Sequence, residues 1–178
     1  MANISEFRSR LTGGVRSNQF VCRLVFPKAL GIDYDVARTA EFLVSGAELP
    51  GSTIVQTSMT YMTREIKIPS HRTFANWNVD VINTADFSIR GALESWASLI
   101  FKHGDVGGAQ KIDDYSVDME VSQLDRNDVI LRTYSLHNCY PVRIGPIKLD
   151  FAHHDIEKFD VEFSMDFWTV KDGQYQIN

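Results

Sequence analysis

The strongest constraint on the fold is a stretch of apolar–polar alternation near the C-terminal end of the chain. Over residues 158–168 every second position is apolar, namely Phe159, Val161, Phe163, Met165 and Phe167. Because successive side chains of a strand point to opposite faces, this run predicts one long strand with one face in a core. The other face carries Asp160, Glu162 and Asp166. A row of carboxylates is tolerated most easily beside water, so this face is expected to meet solvent or a lumen.

Strand patterns also dominate the rest of the chain. Alternating or β-branched runs predict further strands at residues 20–26, 41–45, 74–83, 116–123 and 129–140. A short apolar segment follows them at residues 147–151. Because proline has no N–H to donate to a ladder, Pro27, Pro69 and Pro141 are expected to end the strands that precede them.

One stretch has clear helical periodicity, with Asp86 or Ser88 as its expected cap. Its apolar positions recur at three- and four-residue spacing and are Ile89, Ala92, Leu93, Trp96, Leu99 and Ile100. At 178 residues the chain is expected to form a single domain. The predicted fold is mainly β: an antiparallel β-barrel or sandwich with one main flanking α-helix and a long extended arm or hairpin.

The arm or hairpin is predicted at residues 53–68, which are β-prone and carry several large side chains. Two interpretations remain open, an ordinary internal hairpin and an arm that reaches a neighbouring subunit. For the second interpretation, the candidate contact residues are Met59, Tyr61, Met62, Arg64 and Ile66.

The net charge of −5 is unevenly distributed along the chain. Residues 1–28 hold five basic residues and one acid, a charge of +4, and residues 29–178 hold 13 basic and 22 acidic residues, a charge of −9. An acidic body is poorly suited to binding DNA phosphates. The basic N-terminal segment is either a solvated terminus or a docking segment for an acidic partner, including another copy of the chain.

Motifs for catalysis or metal binding are not apparent in the sequence. There is no nucleophile elbow, Walker loop or dinucleotide fingerprint, and the glycines of 104–111 have the wrong spacing and context for a phosphate loop. His137, Cys139, His153 and His154 lack the spacing of a zinc site. We therefore expect neither an enzyme nor a bound cofactor or metal.

Two cysteines, Cys22 and Cys139, are too few for a disulfide framework and fit a reducing compartment. Neither cysteine has an activating base nearby in sequence, so a reactive thiol is not indicated. No apolar run reaches the length of a membrane span, and residues 1–14 contain no apolar core of a secretory signal.

Several motifs, taken in order, resemble the tail tube proteins of contractile-tailed bacteriophages. The N-terminal ones are Glu48-Leu49-Pro50, the REIKIP run of 64–69, Arg72-Thr73-Phe74-x-x-Trp77-x-Val79-x-Val81 ending at Asn83, and a helix containing Trp96. The C-terminal ones are Tyr140-Pro141, Ile144-Gly145, Leu149-Asp150-Phe151 and the alternating run of 159–168. Together they cover residues 20–168, whereas 1–19 (an N-terminal extension) and 31–38 fit the pattern less well.

This resemblance implies a structural subunit that forms hexameric rings stacked into a tube. Double-stranded DNA would pass through the lumen without specific binding. The implied partners are other copies of the chain, the tail sheath protein, baseplate and tail terminator proteins, and the tape measure protein, with no membrane. The implied location is the virion tail, assembled in the host cytoplasm.

Related roles stay open beside this one. They are a baseplate protein that initiates the tube, a ring protein of type VI secretion, the tube of a phage-like particle and, more distantly, a small-molecule-binding β-barrel.

The resemblance also gives the acidic positions a candidate role. Asp160, Glu162 and Asp166, with Asp118 and Glu120 from another alternating run, would line the lumen and repel DNA phosphates. The alternative is that these acids face the sheath or solvent. The arm of 53–68 would contact the next ring or the adjacent subunit.

Overall fold

The computed structural model describes residues 3–11, 14–102, 104, 111–152 and 154–171. Within these ranges the elements are α1 Ile4–Leu11, β1 Phe20–Arg23, α2 Tyr34–Leu43, β2 Val44–Ala47, β3 Ser52–Tyr61, β4 Arg64–Phe74, β5 Trp77–Ile82, α3 Ser88–Ile100, α4 Ile112–Tyr115, β6 Val117–Leu124, β7 Ile130–Ile144, β8 Lys158–Ser164 and β9 Phe167–Lys171. The predicted fold class is confirmed: the chain is mainly antiparallel β, with one main helix and one long hairpin.

Seven strands form one antiparallel sheet in the order β1-β6-β7-β8-β5-β2, with β9 also paired to β7. The long strand β7 joins two halves of this sheet. The first part of β7 pairs with β6 and β9, and β6 also pairs with β1; we call these strands the β6 half. The last part of β7 pairs with β8, which is followed in the sheet by β5 and β2; we call these strands the β8 half.

Both halves of the sheet and α3 share one hydrophobic core. The apolar stripe predicted for α3 is confirmed, since Ile89, Ala92, Leu93 and Trp96 are all buried. The sheet contributes the inward faces of its strands, including Cys22, Met119, Val121 and Leu136 from the β6 half and Trp77, Val79, Val81, Phe159, Val161 and Phe163 from the β8 half. Burial of this apolar surface is the main stabilising contribution to the fold.

The buried indoles of this core also have hydrogen-bond partners. Trp77 Nε1 donates to the Glu48 carbonyl oxygen at 2.7 Å, and Trp96 Nε1 donates to the Tyr115 carbonyl oxygen at 2.7 Å. A buried indole N–H without an acceptor would be costly, so these two bonds help to fix the loops that contain Glu48 and Tyr115.

The expectation that proline ends two of the strands is wrong. β4 continues through Pro69 to Phe74, and β7 continues through Pro141 to Ile144. Each proline lies beside a register shift, Pro69 opposite Gln56 and Pro141 opposite Phe163. At such an irregularity the missing N–H interrupts no regular ladder bond, which is why proline is tolerated there.

The prediction of a single C-terminal strand over 158–168 is also wrong. The run is divided into β8 and β9, and Phe167 is 41% exposed instead of sharing the buried face of Phe159, Val161 and Phe163. The break lies opposite the bend of β7, where Asn138 has a φ of 56°. The chain of 158–171 follows this bend, and the Asp166 N–H donates to the His137 carbonyl oxygen at 3.1 Å across it.

The strand predicted at 41–45 is wrong in its first half. Residues 41–43 form the last turn of α2, and β2 begins only at Val44. The α2 helix was not predicted because it buries only Ala40 and leaves its two aromatic residues, Tyr34 and Phe42, exposed. Such a helix lacks the apolar stripe on which sequence periodicity depends.

The cap expected for α3 is partly formed. The helix begins at Ser88, and the Asp86 carboxylate accepts hydrogen bonds from the Ser88 backbone N–H at 3.3 Å and the Ser88 hydroxyl at 3.1 Å. Hydrogen bonds from Thr84 and Ser88 hold the pKa of Asp86 below its usual value. Asp86 therefore satisfies one of the free N–H groups at the start of the helix.

Candidate functional site

The hairpin of β3 and β4 is a separate two-stranded sheet that shares no ladder with the main sheet. At about 3.3 Å per residue its strands are about 30 Å long. Apart from Val55 and Phe74, which are partly buried, every residue of the two strands is exposed. A two-stranded hairpin is marginally stable in water by itself, and this one is exposed along most of its length.

The two faces of the hairpin differ in polarity. Residues directly opposite each other share a face, and one face holds the pairs Thr57–Ile68, Met59–Ile66 and Tyr61–Arg64. The other face holds the polar pairs Ser58–Lys67 and Thr60–Glu65. Met59, Ile66 and Ile68 are 53%, 46% and 44% exposed. The first face, which we call the apolar hairpin face, is therefore not covered by any of the residues described above.

The structure brings four of the five predicted arm residues together on this face: Met59, Tyr61, Arg64 and Ile66. The fifth, Met62, lies in the turn with a φ of 48° and is 79% exposed. The predicted extended segment is thus a projecting hairpin, and the five residues form its tip and one face.

The base of the hairpin is fixed to the main sheet by aromatic contacts. The ring of Phe74 meets Trp168 edge to face, with centroids 6.2 Å apart. Trp168 Nε1 donates a hydrogen bond to the Gly51 carbonyl oxygen at 3.1 Å. These contacts hold the two ends of the hairpin, just before β3 and at the end of β4, against β9, so the hairpin projects from a defined place on the sheet.

The outward face of the β8 half is acidic. Asp160 and Glu162 lie on it because the residues that alternate with them, Val161 and its neighbours, are buried. Asp160 is directly opposite Asp80, and Glu162 is directly opposite Asn78. Across the described residues, the charges on this face are Glu48, Asp80, Asp160, Glu162, Arg143 and Lys158. We call this surface the acidic face.

The two opposed carboxylates of the acidic face are accommodated by glycine and arginine. A Cβ atom at Gly46 would lie 2.8 Å from Asp80 Oδ2, and one at Gly145 would lie 2.0 Å from Asp160 Oδ1. The carboxylates therefore occupy space that only a glycine leaves free. Arg143 Nη1 also donates to Asp160 Oδ2 at 2.7 Å, which offsets part of the repulsion between the two acids.

Asp118 and Asp166, two other predicted lumen residues, stabilise the bend of β7. Asp118 Oδ1 accepts a hydrogen bond from the Asn138 N–H at 3.1 Å, and Asp118 Oδ2 lies 3.0 Å from His137 Nδ1. The Asn138 side-chain amide donates to Asp166 Oδ2 at 2.6 Å. His137 is further held by Thr169, whose Oγ1 is 2.9 Å from Nε2. These two acids thus have an intramolecular role that sequence reasoning did not find.

We predict that Asp118→Ala lowers the free energy of unfolding by about 1 kcal/mol, because the bend loses its charge-assisted hydrogen bonds at an exposed site. Urea denaturation followed by tryptophan fluorescence measures the change. Asp155→Ala, which removes an exposed carboxylate from a loop, is the control and should change stability by less than about 0.5 kcal/mol. Equal stability of Asp118→Ala and wild type would contradict the role of Asp118 at the bend.

Glu120, the fifth predicted lumen residue, is neutralised within the subunit. Lys171 Nζ forms an ion pair with its carboxylate, and Arg23 is directly opposite it on β1. The five predicted acids therefore do not form one surface. Asp160 and Glu162 lie on the acidic face, Asp118 and Asp166 lie at the bend, and Glu120 lies among basic residues of the β6 half.

Sequence reasoning missed two residues of the acidic face, Glu48 and Asp80. The alternation of Asn78 and Asp80 with buried valines was visible, but the pairing of β5 with β8 depends on the tertiary fold. Glu48 joins them because its carboxylate accepts a hydrogen bond from the Asn78 side-chain amide at 3.3 Å.

The remaining chemistry of the described residues is sparse. No group of three or more His, Cys, Asp or Glu side chains among them is placed to hold a metal ion. Burial raises the pKa of Cys22 and of Cys139 to about 12, so both thiols are protonated at neutral pH. Within the same ranges, no helix has the length and apolar character that a membrane span requires. His153 and most of the glycine loop of 104–111 lie outside the described residues.

Comparison with known proteins finds relatives of this chain among phage tail tube proteins. The family model described as phage tail tube protein matches residues 15–171. The tail tube protein of Serratia phage KSP90 is 25% identical over 158 residues, which cover 87% of this chain and 89% of that protein. Tail tube protein gp19 of Enterobacteria phage T4 is 24% identical over 129 residues, which cover 71% of this chain and 79% of that protein.

Solved structures show the same fold at low sequence identity. A chain in the cryo-EM structure of the anti-feeding prophage baseplate has a TM-score of 0.64 at 10% identity, covering 90% of this chain and 97% of that one. A chain in the sheath–tube complex of the PVC extracellular contractile injection system has a TM-score of 0.60 at 11% identity, covering 92% and 96%.

The family match spans almost all the described residues, including both halves of the sheet, the hairpin and α3. It confirms the resemblance that the ordered motifs indicated. The chain therefore belongs to the phage tail tube protein family and is a structural tail tube subunit.

Proposed function

We propose that this subunit forms hexameric rings that stack into a tail tube, and that double-stranded DNA passes through the lumen of that tube. The subunit would act structurally, without catalysis. It would work in the tail of a virion after assembly in the host cytoplasm. The observation that carries this proposal is the apolar hairpin face, which is exposed among the residues that the structure describes.

The hairpin supports assembly because its exposed apolar area is costly to leave in water. Met59, Ile66 and Ile68 are large side chains that are about half exposed, and burial is worth about 25 cal/mol per Å² of apolar surface. Contact with the adjacent subunit or the next ring would bury this face and complete the hairpin. The same contact would protect the strand edges, which otherwise attract uncontrolled pairing.

Similar folds occur in assemblies that suggest the other partners. The likenesses described above come from structures titled as a baseplate and as a sheath–tube complex, and another comes from a sheath/tube terminator. On this basis the partners of the tube would be a sheath protein, baseplate proteins and a terminator. A tape measure protein and double-stranded DNA would occupy the lumen in turn, without specific binding.

Negative-stain electron microscopy of the purified chain tests the proposal directly. Uniform hollow tubes with six-fold cross-sections are expected. Isolated rings that never lengthen would instead indicate a tube initiator. A monodisperse monomer at high protein concentration would overturn the proposal.

The acidic face is the best candidate for the lumen wall. Four carboxylates and two cationic side chains leave it net negative, and a negative wall repels DNA phosphates during passage. Asp160 and Glu162 keep their predicted role here, and Asp80 and Glu48 join them. Asp118, Asp166 and Glu120 would not belong to this wall, because the first two lie at the bend of β7 and the third lies among basic residues of the β6 half.

We predict that Glu162→Lys tubes retain double-stranded DNA that wild-type tubes release. The substitution reverses a charge at every subunit of the wall, and the retention should disappear at high salt because it depends on phosphate neutralisation. A gel-retention assay with short fluorescent DNA measures it. The control is Asp113→Lys, which makes the same charge change away from this face, on the short helix α4. Equal DNA retention by the two variants would place the acidic face outside the lumen.

A further inference from the structure

The N-terminal helix α1 carries an apolar stripe that is exposed within the described part of the chain. Ile4, Phe7 and Leu11 follow one another at helical spacing and are 70%, 62% and 49% exposed. None of the residues of this helix is buried. Beside the stripe, Arg8 follows Phe7, and Arg10 forms an ion pair with Glu6 at 2.7 Å, so Arg8 gives the margin of the stripe its net positive charge.

The loop between β7 and β8 has the matching character. Its described residues expose Leu149, Phe151 and Ile156, of which Phe151 is wholly exposed. Asp150 lies between the first two of these side chains, and Asp155 directly precedes the third. The two limbs of the loop enclose a cleft of about 310 Å³ between Ile147–Asp150 and Asp155–Lys158. Its charged lining consists of three carboxylates and two lysines, so this apolar surface has a margin that is net negative by one charge.

The two surfaces belong to segments that join the main sheet at opposite ends of β7. The segment that follows α1 is tied near the start of β7, because the Gln123 side-chain amide donates to the carbonyl oxygens of Arg16 and Gln19, and Gln123 is opposite Arg132. The β7–β8 loop begins after Ile144, where β7 ends. Two complementary surfaces on separate segments of one subunit favour a head-to-tail contact that repeats from copy to copy.

We propose that α1 of one copy docks on the β7–β8 loop of a second copy. The stripe of α1 would cover Leu149, Phe151 and Ile156, and Arg8 would face Asp155. This inference rests on the proposed function, since it requires copies of the chain to be held side by side or in a stack.

Another open surface fits α1 less well. A groove of about 760 Å³ lies between β1, α2 and the segment that joins them. Its charged lining consists of three cations and two carboxylates, namely Arg23, Lys28, Arg38, Glu41 and Glu120. A basic helix would meet net repulsion there, whereas the lining of the β7–β8 cleft is net negative.

The contact area is small, which limits what the contact can do alone. An eight-residue helix is about 12 Å long. One face of so short a helix buries much less than the roughly 1,200 Å² or more that a stable free-standing interface buries. It would therefore form only where other contacts, such as the hairpin, already hold the copies together. α1 would then be dispensable for folding and would stabilise the assembled tube.

Disulfide trapping between two different chains tests the contact. A Phe7→Cys chain is mixed with a Phe151→Cys chain, assembled and oxidised with copper phenanthroline, and Ser9→Cys on the opposite side of α1 is the matched control. The native Cys22 and Cys139 are buried and do not interfere. We expect a crosslinked dimer for Phe7→Cys with Phe151→Cys, and at least about tenfold less of it for Ser9→Cys with Phe151→Cys.

Each outcome decides between the two proposals. Tubes in micrographs without the Phe7–Phe151 dimer, or with equal product from the Ser9→Cys control, would overturn the α1 contact alone. The dimer in a sample without tubes would support the contact and count against the tube. Neither tubes nor dimer would overturn both.

A charge swap provides an independent readout. Arg8→Glu and Asp155→Arg should each raise the protein concentration needed for assembly about threefold to fivefold, and the two together should restore it toward the wild-type value. A double variant that assembles no better than the worse single variant would overturn the pairing of Arg8 with Asp155.

Discussion

Replacing Met59 with lysine and Ile66 with glutamate is expected to abolish tube formation while the subunit stays folded. The two residues are directly opposite each other on the apolar hairpin face, so the new charges pair across the strands and preserve the hairpin. Any partner surface that buries this face would then have to desolvate two charges, at a cost of several kcal/mol. Because every subunit of a tube repeats the contact, even a partial loss per contact should prevent assembly.

Electron microscopy and sedimentation measure the assembly, and urea denaturation checks the fold. The control places the same ion pair on the polar side of the hairpin, as Ser58→Lys with Lys67→Glu, which are also directly opposite each other. The control should still form tubes, and both variants should stay within about 0.5 kcal/mol of the wild-type free energy of unfolding, since these positions are exposed. Normal tubes from Met59→Lys with Ile66→Glu would show that assembly does not use this face.

Trp96→Ala is expected to be the most destabilising substitution in the core, at about 4 kcal/mol. The side chain is fully buried, and its ring lies 5.8 Å from that of Phe26 and 6.0 Å from that of Phe163, measured between centroids. The substitution leaves a large cavity and removes the hydrogen bond to the Tyr115 carbonyl oxygen. Domains have about 5–15 kcal/mol of total stability, so the variant would retain only part of it.

Thermal unfolding should show a fall in Tm of about 10 °C for Trp96→Ala. Trp96→Phe keeps an aromatic ring in the cavity and should lose about half as much stability. Phe101→Ala, at a position 78% exposed just after α3, is the control for loss of an aromatic side chain and should change Tm by only about 1–2 °C. A Tm for Trp96→Ala close to that of the control would mean that the core does not depend on α3.

The parts of the fold that were predicted from sequence are those in which one face of an element is buried along its whole length. The alternation at 158–164 and the stripe of α3 point into the core, so their apolar residues could be recognised from spacing alone. The hairpin was recognised from β-prone composition, and its location outside the core explains why its interpretation stayed open. Its exposed methionines and isoleucines do not distinguish an internal hairpin from an arm.

The errors at the two prolines and in the last strand have a common physical cause, which is that irregularities in a ladder depend on the partner strand. Pro69 and Pro141 are tolerated because Gln56 and Phe163 lie opposite them at register shifts. The division of the last strand follows from a bend that is centred on Asn138, in β7. None of these partners is adjacent in sequence, so local rules predicted strand ends at the prolines and a continuous strand at the break.

The candidate acidic wall was predicted in part for the same reason. Asp160 and Glu162 were found because they alternate with buried residues of their own strand. Asp118 has the same local pattern, yet it caps the bend, because β7 inserts His137 and Asn138 opposite it. Side-chain alternation tells which acids avoid the core, and only strand pairing tells which of them share a surface.

The shared strand β7 has a mechanical consequence for the subunit. Its last residues are hydrogen bonded within the β8 half and its first residues within the β6 half, so the two halves are joined by a continuous strand as well as by the short connection at residues 165–166. Opening one half against the other would require ladder bonds to break on a strand that both halves need. Each subunit should therefore transmit an axial load as a rigid block, and the bore of a tube built from it would keep its diameter under that load.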